Sequence, residues 1–128
     1  MTVRKIIKAL ENDVVFDISS AVTDVTWNNA NGTKDFDAPE GTWKAYWEKY
    51  SDIKWPQKCC RKGCDKPAHD GAHVYSFDFT GRKLFIAPLC KGCNHTSDEF
   101  ELKLATRLVW ANTQEAESYL NWLEKQGL

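Results

Sequence analysis

Cys59-Cys60-Arg61-Lys62-Gly63-Cys64 and, after twenty-five intervening residues, Cys90-Lys91-Gly92-Cys93 contain all five cysteines of this 128-residue chain. At such spacings each short loop folds back far enough to aim two sulfurs at one point. Two such pairs complete a tetrahedron around a zinc ion. The ligand set is read as Cys64, Cys90 and Cys93 with either Cys59 or Cys60 as the fourth. Cys59 is preferred, because the longer loop, with Gly63 near its end, turns back more easily. The neighbouring Lys58, Arg61 and Lys62 would offset the negative charge of an ion held by four thiolates. Three alternatives compete: buried reduced cysteines, a site in which His69 or His73 replaces one sulfur, and redox chemistry at Cys90-x-x-Cys93. The redox reading lacks the upstream βαβ unit that a thioredoxin-like motif needs.

Between the two pairs the chain reads as a β-hairpin. His73 to Phe79 alternates toward a Thr80-Gly81 turn, Lys83 to Ala87 returns, and Pro88 closes the strand before Cys90. A cysteine loop, a hairpin and a second cysteine pair opening a helix make the layout of a treble clef zinc finger. The fold class is therefore read as α+β, a small treble clef core with an N-terminal α/β extension and a C-terminal helix. A soft boundary at Asp35–Gly41 divides the chain into an extension, residues 1–38, and a zinc-binding domain with flanking helices, residues 39–128.

Upstream, Val3, Ile6, Ile7 and Leu10 fall at helical spacing, and Val14–Phe16 and Val22–Trp27 are rich in strand formers. Asn28-Asn29-Ala30-Asn31-Gly32 predicts a turn. Thr42 predicts the cap of a helix reaching Tyr50, with Trp43, Tyr46, Trp47 and Tyr50 as a core-facing stripe. Downstream, residues 98–111 fit a strand and a helix about equally, and Ser97-Asp98-Glu99 predicts at least one helical turn. Asn112-x-x-Glu115 reads as a capping box, opening a last helix whose stripe is Ala116, Tyr119, Leu120 and Leu123 and whose stop is Gly127.

The net charge of −1 hides an asymmetry. Residues 41–95 carry ten basic and five acidic side chains, while both flanks are net acidic. Positive charge thus gathers on the segment that holds the cysteines, which suits a polyanion or an acidic protein surface. No apolar run approaches the roughly 18 residues of a membrane span. The first residues lack the long apolar region of a secretory signal. Closely spaced cysteines without such a signal favour metal over disulfides, so the expected compartment is the reducing cytoplasm.

Gly71-Ala72-His73-Val74, with Ile86-Ala87-Pro88-Leu89-Cys90-Lys91-Gly92-Cys93-Asn94, resembles the zinc-containing branch of the HNH endonuclease family over roughly residues 59–95. The resemblance implies that His73 is a general base activating water against a phosphodiester. It implies that Asn94, opening the helix, helps hold a catalytic Mg²⁺ or Mn²⁺ separate from the structural Zn²⁺. The chain departs from the pattern where the family carries its middle Asn, since Phe85 or Leu84 stands there, and Ala72 precedes the histidine. Asp70, Asp78 and His95 are the nearest substitutes. The leading expectation is a zinc-stabilised HNH-like module that binds nucleic acid through Lys54, Lys58, Arg61, Lys62, Lys66, Arg82, Lys83 and Lys91. The alternatives are a metal-dependent nuclease and a bacterial or phage adaptor or inhibitor that meets a partner protein.

Overall fold

The hairpin expected between the cysteine pairs is the centre of a five-stranded antiparallel sheet. The computed structural model describes residues 14–30, 33, 36–77 and 83–126. Its strands are β1 (Val15–Asp17), β2 (Asn28–Asn29), β3 (Asp70–Tyr75), β4 (Phe85–Leu89) and β5 (Arg107–Trp110), in the order β1-β5-β4-β3-β2. The helices are α1 (Trp43–Ser51), α2 (Lys91–Asn94) and α3 (Gln114–Lys125). The loop, hairpin and helix order of a treble clef is present, with the helix reduced to a single turn. Both edge strands come from the first 38 residues, so this stretch shares one sheet with the cysteine-bearing core. Among the described residues no helix is long and apolar enough to cross a membrane.

β3 and β4 pair from Asp70 opposite Leu89 to Val74 opposite Phe85. All five residues of β4 are buried, because both faces of the sheet are covered. On one face Val74, Phe85, Ala87, Leu89 and Leu108 pack with the cysteines and with Phe16, Trp27, Phe100 and Leu102. On the other, Tyr75, Ile86 and Val109 meet Tyr46 and Trp47 of α1 and Ala116 and Leu123 of α3. Each large apolar side chain removed from water contributes about 1.5–3 kcal/mol, so these two layers and not the short strands hold the sheet together.

Helix α1 begins where the sequence places it. The Thr42 hydroxyl accepts from the Ala45 amide, and the helix ends at Asp52 in a left-handed conformation. The aromatic stripe is core for Tyr46 and Trp47. The Tyr46 hydroxyl donates to the Trp110 carbonyl and the Trp47 indole to the Arg107 carbonyl, which ties α1 across β5. Tyr50, by contrast, is exposed.

Several expectations need correction. Val22–Trp27 is no strand: Ser20–Val22 forms a 3₁₀ turn, and extended pairing starts only at Trp27, bridged to Phe100. Asn28-Asn29 is not a turn but strand β2, paired with Tyr75 and Val74. The expected helical turn at Ser97 is absent; Phe100 and Leu102 instead make bridges to Trp27 and Arg61, and β5 follows. Burial of Phe100, Leu102 and Leu108 on one face outweighs the local helix-start signal. The cap of α3 is Thr113, one residue later than the capping box suggests, its hydroxyl accepting from Ala116. The hairpin begins at Asp70 and takes Pro88 inside its second strand. The proposed first helix, the Thr80-Gly81 turn and the Gly127 stop lie outside the described residues.

Candidate metal centre and the adjoining cleft

Cys59, Cys64, Cys90 and Cys93 bring their four sulfurs within 4.8 Å of one another. A left-handed Gly63 (φ +87°) lets the first loop reverse, and the Cys64 amide closes it on the Arg61 carbonyl at 3.0 Å. The loop is stitched to the core from three sides. The Cys59 amide donates to the Lys66 carbonyl, the Cys60 amide to Pro88, and the Lys103 ammonium to the carbonyls of Cys59 (2.8 Å) and Cys64 (2.6 Å). Cys90 caps α2, its sulfur accepting from the Cys93 amide at 3.4 Å.

The donor set fits a tetrahedral ion. Four sulfurs at about 2.3 Å from zinc lie about 3.8 Å apart, and the Cys64 and Cys90 sulfurs are 3.9 Å apart. The charges agree with the geometry. Burial, reinforced by the neighbouring thiols, pushes the Cys93 thiol well above its ordinary range. Burial alone would also raise Cys90, but the Cys93 amide and the surrounding thiols more than reverse it. Burial likewise raises the Cys59 thiol, so Cys59 and Cys93 resist ionisation until a cation compensates the accumulating charge. The Arg61 guanidinium, 4.0 Å from the Cys93 sulfur, supplies part of that compensation.

Cys60 stands outside the cluster. The sulfurs that cluster are those of Cys59, Cys64, Cys90 and Cys93, and Cys60 is not among them. Burial pushes the Cys60 thiol up to about 11, which leaves it protonated and inert near neutrality. Neither His69 nor His73 joins the sulfurs.

Both histidines line a separate cleft of about 610 Å³ with Asn94, Asp70 and Lys44. It opens because β2 pairs with only Val74 and Tyr75, leaving the first part of β3 without a neighbour on that side. Asp70 is its hub: one carboxylate oxygen meets His69 Nδ1 at 2.6 Å, and the other accepts from Asn94 Nδ2 at 3.0 Å. Burial opposes ionisation of Asp70, but these two hydrogen bonds and the nearby charges of His69 and Lys91 hold it below the usual carboxylate range. His73 lies beneath Trp43 and Phe36, whose rings meet it edge-on at 4.4 and 5.8 Å. It is only 5% exposed, and its Nε2 has no hydrogen-bond partner among the described residues. His95 lines the same cleft, and Asp78 lies outside the described residues. Among the described residues the four cysteines alone are arranged to hold an ion.

Desolvation depresses the His73 pKa to about 4. The unfolded chain, with an ordinary value near 6.5, therefore takes up this proton first as pH falls. Its effect is absent above about pH 6.5, grows between 6.5 and 4, and reaches a destabilisation of about 3 kcal/mol below that. Denaturant titrations between pH 7 and 4 should show this loss in wild type and lack it in His73→Gln. Parallel curves for the two proteins would contradict the burial of a neutral imidazole.

Two residues that position this region were not legible as site residues. Asn29 Nδ2 donates to the carbonyls of Cys93 (2.7 Å) and Thr96 (2.9 Å), fixing the end of α2 against the sheet edge. Lys103 braces the cysteine loop from some forty residues away in sequence. Neither belongs to a local pattern, so no sequence signal marks them. No family model, curated protein or solved structure matches the chain.

Proposed function

We propose that the chain is a zinc-stabilised module of HNH-like layout that binds nucleic acid along the cleft between β3 and α2. The observation that carries this reading is the convergence of His73 and Asn94, far apart in sequence, on one cleft beside the four-cysteine cluster. Zinc is the ion of choice because four thiolates in a closed tetrahedral set suit it and leave no open position for chemistry. The ion is then structural, joining the Cys59–Cys64 loop to the start of α2.

The contact surface keeps two of the eight basic residues expected from the central segment and adds Lys44. Lys62 is paired with Glu101, Arg61 faces a cysteine sulfur, and Lys83 lies over the Trp110 ring. Lys44 on the cleft wall, Lys91 on α2 and Lys66 in the loop leading to His69 are exposed, unlike half-buried Lys83, and suit phosphate contacts, with the Lys44 ammonium 5.2 Å from the centre of the Trp55 ring. Three such contacts give a salt slope near −2.7, so binding of a DNA duplex weakens about 40-fold between 50 and 200 mM salt. Filter retention of duplex DNA tests this. Lys44→Ala and Lys91→Ala should each flatten the slope by about one unit with unchanged melting temperatures. Salt-independent retention, or none at 50 mM, would refute the reading.

One observation favours cleavage as a second reading: the Nε2 of His73, without a hydrogen-bond partner among the described residues and held neutral in the cleft that Asn94 and Asp70 also line. A neutral imidazole is the form a general base requires. Its atom is buried here, so cleavage needs Phe36 or Trp43 to move aside. Nicking of supercoiled plasmid in Mg²⁺ or Mn²⁺, abolished by His73→Ala, would support cleavage. Intact plasmid with retained DNA would leave binding alone.

A further inference from the structure

A second concavity lies at the opposite end of α1 from the cleft. It is a groove of about 240 Å³ whose walls include Trp47, Ile53 and Leu104, with Cys60 and Thr106 within it. Among the described residues its charged lining is Lys54, Lys58, Lys103 and Arg107, with no acidic side chain. We infer that this groove docks an acidic segment of a partner protein through one large apolar side chain.

Three features set the chemistry of the occupant. Ile53 and Leu104 are 46% and 62% exposed, and they flank the same depression. A partner that covers them removes apolar surface from water, a gain that a sugar-phosphate backbone cannot supply. The volume falls below the roughly 300–1,000 Å³ of small-molecule sites, which suits a single side chain and its flanking backbone. Finally, the charge is one-sided. Asp17 and the Ser51 carbonyl occupy the Arg107 guanidinium, and the carbonyls of Cys59 and Cys64 occupy the Lys103 ammonium. The ammonium groups of Lys54 and Lys58 have no ion-pair partner among the described residues and stand at the rim, where carboxylates would meet them.

The groove is built rather than incidental. Leu104 is presented by a tight turn in which the Lys103 amide bonds Cys60, the Ala105 amide bonds Ile18 at 2.7 Å, and the Thr106 amide returns to Lys103. Ala105 holds a left-handed backbone (φ +69°) to make that turn. A preformed wall lowers the ordering cost of binding. Although Trp47 of the groove and Lys44 of the cleft wall both sit on α1, no residue lines both concavities, so the two surfaces are distinct.

The test pans a phage-displayed library of random 12-residue peptides against the full chain as purified. Enriched peptides should carry several Asp or Glu residues around a Leu, Ile or Phe. Fluorescence anisotropy of a synthetic winner should show affinity reduced at least tenfold by Leu104→Ser and by the pair Lys54→Gln/Lys58→Gln. Both variants alter exposed side chains and should melt as wild type does. Lys44→Ala, on the cleft, should leave peptide affinity unchanged, so failure here is separable from failure of the nucleic-acid reading. Absence of enrichment, selection of neutral or basic peptides, or undiminished affinity in Leu104→Ser would overturn the inference. So would loss of duplex-DNA binding in Leu104→Ser, which would assign the groove to nucleic acid.

Discussion

Cys90→Ser is expected to abolish both metal binding and the cooperative thermal transition, while Cys60→Ser keeps both. Cys90 has two functions, supplying a sulfur to the cluster and capping α2 through the Cys93 amide. Serine retains a capping oxygen but is a poor ligand, so the cap survives and the ion does not. Structural zinc contributes about 10–16 kcal/mol in small domains. That equals or exceeds the total stability, about 5–15 kcal/mol, of an ordinary domain. Cys60 makes no such contribution, and replacing it costs about 1–2 kcal/mol for placing a hydroxyl where the thiol is 7% exposed. Melting followed by circular dichroism, with metal content measured on the same samples, separates the two. Loss of metal in Cys60→Ser with retention in Cys59→Ser would reverse the ligand assignment.

Gly71→Ala should destabilise the fold less than loss of the ion but well beyond an ordinary surface change, for a purely steric reason. A Cβ at this position would lie 2.7 Å from the Trp43 carbonyl carbon, 2.8 Å from the Lys44 nitrogen and 2.9 Å from the Trp43 Cβ. Two of these three atoms are backbone, so no rotamer change relieves the clash. Either β3 or the first turn of α1 must shift. That turn is pinned further along by Tyr46 and Trp47, whose polar atoms bond to carbonyls of β5. Overpacking of this kind costs about 3 kcal/mol, the upper part of its usual range. It should also displace Trp43 from His73, disturbing the cleft before the protein unfolds. Urea denaturation with an unchanged m-value is the measurement; a loss under about 1 kcal/mol would mean that strand and helix are less closely apposed than described.

How much of this was legible in the sequence depended on whether the deciding interactions were local. The cysteine spacings, the hairpin between them and the Thr42-capped aromatic helix were legible because each is specified within a few turns of chain. Cys59 was preferred over Cys60 from loop length, and it is the Cys59 sulfur that lies with the other three. The stretch from Ser97 to Trp110 was not legible, whereas the last helix after it was. Phe100 and Leu102 owe their extended state to Trp27 and Arg61, partners absent from any local window, and those contacts override a good helix-start signal at Ser97. The Asn28-Asn29 pair reads as a turn by composition. It becomes a strand because β3 needs an edge partner and because Asn29 bridges to the end of α2.

The site divides in the same way. His73 and Asn94 were named through a resemblance, and what no motif conveys is how they are set. Asp70 joins Asn94 to His69, Trp43 and Phe36 cover His73, and Lys103 braces the metal loop. Phe85 and Leu84 are buried in opposite apolar layers, so neither brings a polar group to the cleft. Asn29 supplies an amide to the same helix from a different strand. It enters from the edge of the sheet rather than from the hairpin.

X-ray absorption at the zinc edge, on the chain as purified, tests the central claim most directly. The account predicts one zinc per chain with four sulfur neighbours at about 2.3 Å and no nitrogen or oxygen in the first shell. A shell containing imidazole nitrogen, or protein that folds without bound metal, would contradict it.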